Sequence, residues 1–114
     1  MIGRESHRDV LEQLERLIRK RITQGCSDSY VVELVQDDNR VLKKIGEEAI
    51  ELVLAAKTGD SGSICHESAD LMFHLMVLLA QHEIAVDQVL KQLQNRMGVS
   101  GLQEKALRST LKSG

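Results

Sequence analysis

From Leu71 to Ala80 every residue but His74 is apolar. A helix built on that segment shows apolar side chains around its whole circumference and has to be buried on every side. The chain has 114 residues, enough for one domain with a modest core. One such domain holds too few helices to surround the segment, so the segment by itself predicts an oligomer. It is also far shorter than the roughly 20 apolar residues of a membrane span, and no membrane association is expected.

The rest of the chain predicts more helices. It has no Pro and no Trp, with one Phe and one Tyr. A core made from Leu, Ile, Val, Met and Ala suits packed helices better than sheets. The hydrophobic period gives four main helices. The first runs from about Glu5 to Thr23, with Val10, Leu11, Leu14, Leu17, Ile18 and Ile22 on one face, and Gly25 ends it. Residues 25 to 39 form a polar connection, with a helical turn or two over Tyr30 to Val35. The second helix starts at Asp38 or Asn39, either of which can cap it, and runs to about Lys57 before a stop at Gly59. Its apolar stripe is Leu42, Ile45, Ala49, Leu52, Val53 and Ala56. The third spans about Ser63 to Gln81 and the fourth about Asp87 to Arg96, after which Gly98 and Gly101 break the pattern. The expected organisation is one domain over residues 1–97 and a tail over 98–114, either a short amphipathic helix or disordered.

The formal net charge is −2, and no broad basic surface points to nucleic acid. Two cysteines, Cys26 and Cys65, lie far apart without a C-x-x-C zinc pattern, and reduced thiols are expected. The N-terminus has no basic segment followed by an apolar run, so no signal peptide is expected, and a cytoplasmic location follows.

The chemistry is concentrated on the second and third helices. The second carries Lys44, Glu47, Glu48 and Glu51; the third carries Glu67, Asp70 and His74. Glu48 and Glu51 share a face, as do Glu67 and Asp70, because residues three or four apart are helical neighbours. If the helices pack antiparallel, four or five carboxylates meet. Such a group repels itself until some members take up protons or a cation binds. Magnesium suits hard oxygen ligands and bridges carboxylates to phosphates; with no cysteine and one histidine in the group, zinc is less suited. A plainer account stays open: Lys43–Glu47 and Lys44–Glu48 are i,i+4 pairs that also fit a solvated face. On that account the acids only solubilise a non-catalytic helical dimerisation module.

The order of the residues carries more than their spacing. Lys43-Lys44-Ile45-Gly46-Glu47-Glu48-Ala49-Ile50-Glu51 is followed by Glu67-Ser68-Ala69-Asp70-Leu71-Met72-Phe73-His74. This arrangement resembles the phosphoribosyl-ATP pyrophosphohydrolases, within the MazG-like all-α nucleotide pyrophosphohydrolases. E-E-x-x-E and E-x-x-D match the wider group. Lys44-Ile45-Gly46, Phe73-His74, Ser29-Tyr30 and the segment from Asp87 to Arg96 match the narrower family. The resemblance covers about residues 8 to 96. Val31, His66 and residues 37–39 depart from the family's usual pattern, the aromatic of the Phe73-His74 pair is Phe where Tyr is common, and the acids are left intact.

The resemblance implies an all-α MazG-like bundle of four main helices completed by homodimerisation. It implies hydrolysis of phosphoribosyl-ATP to phosphoribosyl-AMP and pyrophosphate, the second step of histidine biosynthesis. Glu48, Glu51, Glu67 and Asp70 would hold Mg2+. Glu47 would complete a second metal site or take the proton of the attacking water, and Lys44 would offset phosphate charge. Tyr30 would stack on or hydrogen-bond the substrate, or anchor the fold beside a Ser29 cap. His74 would bond a carboxylate or the substrate, or be a satisfied core histidine. Arg96 would reach a phosphate or a second subunit, or simply close its helix. Cys65, His66 and Cys26 are expected to be non-functional. Phosphoribosyl-AMP cyclohydrolase, which acts next in the pathway, would be a separate chain. A house-cleaning nucleoside triphosphate pyrophosphohydrolase of the same superfamily shares the acid motifs and remains an alternative.

Overall fold

The computed structural model describes residues 2–25 and 29–98. Among them are five helices and no strand: α1 (Ile2–Gln24), α2 (Tyr30–Val35), α3 (Asp38–Thr58), α4 (Ser61–Gln81) and α5 (Val86–Met97). The four expected main helices and the short insert are all present. Cys26 and most of the expected tail, residues 99–114, lie outside the described residues. The chain divides into two compact units, Met1–Ile84 and Ala85–Gly114. The first holds α1 to α4; the second contributes α5, which exposes Leu90, Leu93 and Met97.

The helix ends have local causes. Gly25 and Gly59 adopt the left-handed conformation, φ 64° and 76°, which glycine takes without a Cβ clash. The Gly59 N–H donates to the Ala55 and Ala56 carbonyls, closing α3. One cap and one start differ from expectation. Asp37, not Asp38 or Asn39, caps α3, its carboxylate accepting from the Asn39 N–H at 3.0 Å. Asp60 caps α4 and starts it at Ser61; its carboxylate accepts from the Ser63 N–H at 2.9 Å and the Ser63 hydroxyl at 2.6 Å. In both cases the acid stands one position before the first helical residue, where its side chain reaches orphan amides. The two Ser63 bonds hold the Asp60 carboxyl below the usual carboxylate range.

Only Gly59 and Asp60 separate α3 from α4, so the two helices fold back as an antiparallel hairpin. α1 packs on α2 and α4, and α2 also meets α3 and α4. The core sits where the four converge. Ile18, Leu34, Val41 and Val77, one from each helix, are fully buried.

The buried face of α3 is not the predicted one. It runs through Val41, Glu48 and Ala55, with Ile45 and Leu52 partly buried between them. The expected stripe members Leu42 and Val53 are exposed. The face is rotated by about one residue because it includes an acid, and an apolar period cannot count Glu48. α3 thus carries a second apolar face, Leu42, Ile50, Val53 and Leu54, that the single chain leaves uncovered. On α4, Met72 and Leu75 are likewise exposed, so the apolar segment is not surrounded within one chain. By length and composition α4 is apolar enough to cross a membrane. In this fold it instead lines the hairpin and carries Glu67 and Asp70 in its N-terminal half.

Candidate active site

The hairpin brings together the acids of the two helices. Glu48 and Glu51 from α3 and Glu67 from α4 each offer a carboxylate oxygen within 4.8 Å of the other two. Glu67 belongs also to a second group, with His66 and Asp70, at the same spacing. Through Glu67 the four predicted metal ligands form one continuous patch. Beside it opens a pocket of about 550 Å3, bordered by Glu51 and Glu67 and by Asp60, Ser63 and His66 at the start of α4.

Glu48 is the distinctive member. It is only 6% exposed. One oxygen lies 3.7 Å from the Lys44 ammonium; the other, Oε2, is buried with no hydrogen-bond partner among the described residues. An unpaired buried carboxylate oxygen is costly and calls for a counter-charge. Lys44 supplies part of it from the edge, 4.0 Å also from Glu47. Glu47 itself is exposed, one residue round the helix from Glu48, and stands outside both acid groups.

Glu67 carries the strain of the crowding. Partial desolvation, a hydrogen bond with Glu51 and repulsion from Glu51 and Glu48 push its carboxyl above the usual 4.5, with His66 pulling slightly the other way. The folded chain therefore binds this proton more tightly than the unfolded chain does. That contribution to stability is complete below pH 4.5 and disappears as pH rises through the elevated folded value. Without metal, the protein is expected to lose thermal stability from pH 4.5 toward neutrality, and Glu67→Gln to flatten that part of the profile. Melting curves of both proteins across this range check it; parallel profiles would refute it.

The donor set fits a hard divalent cation. It is made of carboxylate oxygens, contains an orphaned buried oxygen and crowds Glu67 against Glu51 and Glu48 so that its carboxyl is pushed upward. His66, expected to be a bystander, has Nε2 3.5 Å from Asp70 and 3.8 Å from Glu67. The signal for it was its i,i+4 spacing to Asp70.

The aromatic residues stand one turn further along α4. The His74 ring is buried, with Nδ1 2.7 Å from the Asp70 carbonyl oxygen and Nε2 2.8 Å from the Tyr30 hydroxyl. Both ring nitrogens are engaged within the fold. Phe73 stacks on Tyr30 with centroids 6.1 Å apart. Ser29 precedes α2, but its side chain makes no cap bond. Arg96 lies in the last turn of α5, in the second unit. Cys65 is exposed.

The sequence matches the family model for phosphoribosyl-ATP pyrophosphohydrolase over residues 11–97. It is 48% identical over 101 residues to a phosphoribosyl-ATP pyrophosphatase of Methylococcus capsulatus, covering 88% of this chain and 96% of that protein. The protein of the same name from Nitrosospira multiformis is 46% identical over 101 residues, 88% of this chain and 84% of its own length. That from Neisseria gonorrhoeae is 41% identical, with 88% and 94% covered.

Proposed function

The chain belongs to the phosphoribosyl-ATP pyrophosphohydrolase family, and from that premise we propose that it hydrolyses the α–β phosphoanhydride of phosphoribosyl-ATP, yielding phosphoribosyl-AMP and pyrophosphate in histidine biosynthesis. The observation that carries this reading is the buried, unpartnered Glu48 oxygen set among acids from two helices. A solubilising face has no use for a buried acid. A face that receives a cation together with a polyphosphate does, which speaks against the non-catalytic dimerisation module.

Glu48, Glu51, Glu67 and Asp70 would hold magnesium, an ion that suits oxygen donors and commonly bridges carboxylates to phosphates. When bound, magnesium supplies neutralisation of phosphate charge and acidification of water. The chain's own groups do the rest. Lys44, anchored to Glu48 and Glu47, places a compact positive charge at the edge of the acids and offsets that of the phosphates. Glu47, exposed beside Lys44, accepts the proton of the attacking water. Tyr30 contacts the substrate and His74 holds Tyr30. Arg96 serves a phosphate or a second subunit. Residues 1–97 would form the catalytic domain.

The uncovered apolar faces of α3 and α4 support a homodimer in the cytosol, with the two copies burying Ile50, Val53, Leu54, Met72 and Leu75. Sedimentation at micromolar concentration should give a dimer or larger; a clean monomer would remove this part of the proposal. Phosphoribosyl-AMP is then the substrate of the cyclohydrolase step.

The deciding experiment measures pyrophosphate release from phosphoribosyl-ATP and from a panel of nucleoside triphosphates, with magnesium present. Phosphoribosyl-ATP is expected to be turned over fastest. Faster turnover of ordinary nucleotides would reassign the chain to a house-cleaning role.

A further inference from the structure

Phosphoribosyl-ATP has two features beyond its triphosphate: a purine ring, and a second ribosyl phosphate on N1 of that purine, which ATP lacks. This inference rests on the proposed reaction, in which the acids and their cation take the triphosphate. An enzyme selective for this compound over ATP needs a second cationic contact, far enough from the acids to meet the other phosphate.

A cavity of about 200 Å3 lies among α1, α2 and α4, apart from the pocket beside the acids. Tyr30 and Phe73 line it, their planes inclined by 18°. Leu17 and Ile18 line its α1 side, and Arg21, an exposed residue in the last turn of the same helix, borders it. The ring pair is held in place. The Asp70 carbonyl can only accept, so His74 Nδ1 carries the hydrogen, and in that tautomer Nε2 accepts from the Tyr30 hydroxyl. With that hydrogen used inside the fold, the 45%-exposed Tyr30 has a ring face to offer. Purines stack on such faces, worth about 5- to 150-fold in binding per base.

The spacing from the acids is suitable. Phe73 follows Asp70 by three residues and Glu67 by six, rises of about 4.5 and 9 Å along a helix. The axial rise is of the same order as the reach from the α-phosphate of a nucleotide to its base. A guanidinium at the border can then meet a phosphate in bidentate fashion. The geometry points to this cavity as the subsite for the purine and its N1-linked ribosyl phosphate: Tyr30 and Phe73 stack on the base, and Arg21 receives the distal phosphate. Arg21 is thereby a specificity-determining residue, selecting phosphoribosyl-ATP over ATP.

The test compares wild type, Arg21→Gln and Tyr30→Ala in pyrophosphate release from phosphoribosyl-ATP, with inhibition by AMP, which lacks the second phosphate, measured alongside. Arg21→Gln should raise KM for phosphoribosyl-ATP about 10- to 100-fold, leave kcat nearly unchanged and leave AMP inhibition as in wild type. Arg21→Lys should recover part of the loss. Tyr30→Ala should weaken AMP and substrate together. An unchanged KM in Arg21→Gln, or AMP inhibition weakened as much as substrate binding, would overturn the assignment of Arg21; an unaffected Tyr30→Ala would overturn the stacking platform. Failure of the underlying reaction looks different: wild type itself would release no pyrophosphate from phosphoribosyl-ATP, and the inference would fall with it.

Discussion

Glu48→Gln is expected to lower kcat/KM for phosphoribosyl-ATP by at least about 10²- to 10³-fold, the range seen when one preorganised charge-stabilising group is removed. The fold should not suffer. The glutamine has the shape of the glutamate, and its amide can donate to the carboxylates of Glu51 and Glu67, which share the group with it. What is lost is a buried charge whose Oε2 has no partner among the described residues. The ion pair with the part-exposed Lys44 is a minor loss by comparison. The metal-free variant should therefore melt at or above the wild-type temperature while turning over substrate hardly at all. Asp70→Asn should show the same dissociation of activity from stability. Steady-state pyrophosphate release and thermal melting on the same preparations check both; full activity in either variant removes that residue from the site.

Removing magnesium should cost activity as heavily, and unlike Glu48→Gln it should lower stability. With the metal chelated, pyrophosphate release should fall to background, because nothing then separates the acids from the triphosphate. A ligand that binds only the native state stabilises it by about 2.7 kcal/mol at a hundredfold excess over Kd, roughly 10 °C in Tm for a domain of this size. The gain should be larger at neutral pH than at pH 5. The upward push on the Glu67 carboxyl favours its protonated form more at the lower pH, and proton and cation compete there. Glu48→Gln should abolish most of the magnesium-dependent rise. Comparing Tm with and without magnesium at both pH values reads this directly. Melting unchanged by magnesium at both pH values would argue for acids that bind no ion.

The parts of this structure legible in the sequence were those set by helical geometry. Spacing put Glu48 with Glu51 and Glu67 with Asp70 on shared faces, and the resemblance of the motifs singled them out as ligands; that the two faces meet became visible only in the structure, where Gly59 and Asp60 alone separate the helices. Gly25 and Gly59 were legible as stops because both need a positive φ. Other features depend on tertiary context. The buried face of α3 passes through Glu48, and a hydrophobic period scores a glutamate as solvent-facing, so the predicted stripe fell one residue to the side. The caps at Asp37 and Asp60 each lie one to three positions upstream of the predicted starts, because an N-cap precedes the apolar pattern it serves. His66 looked incidental until α4 placed its ring against Asp70. Arg21 stands far from the acid motifs in sequence and joins a cavity with Tyr30 and Phe73 only when α1 packs on α2 and α4.

Manganese, a paramagnetic stand-in for magnesium, offers the most direct measurement. Electron paramagnetic resonance should show wild-type protein taking up the ion at a saturable site, and a Glu48→Gln, Glu67→Gln double variant that remains folded failing to do so at the same concentrations. If the double variant bound manganese with wild-type stoichiometry and affinity, the junction of α3 and α4 would not be where the ion is held, and the assignment of the reaction to these acids would be wrong.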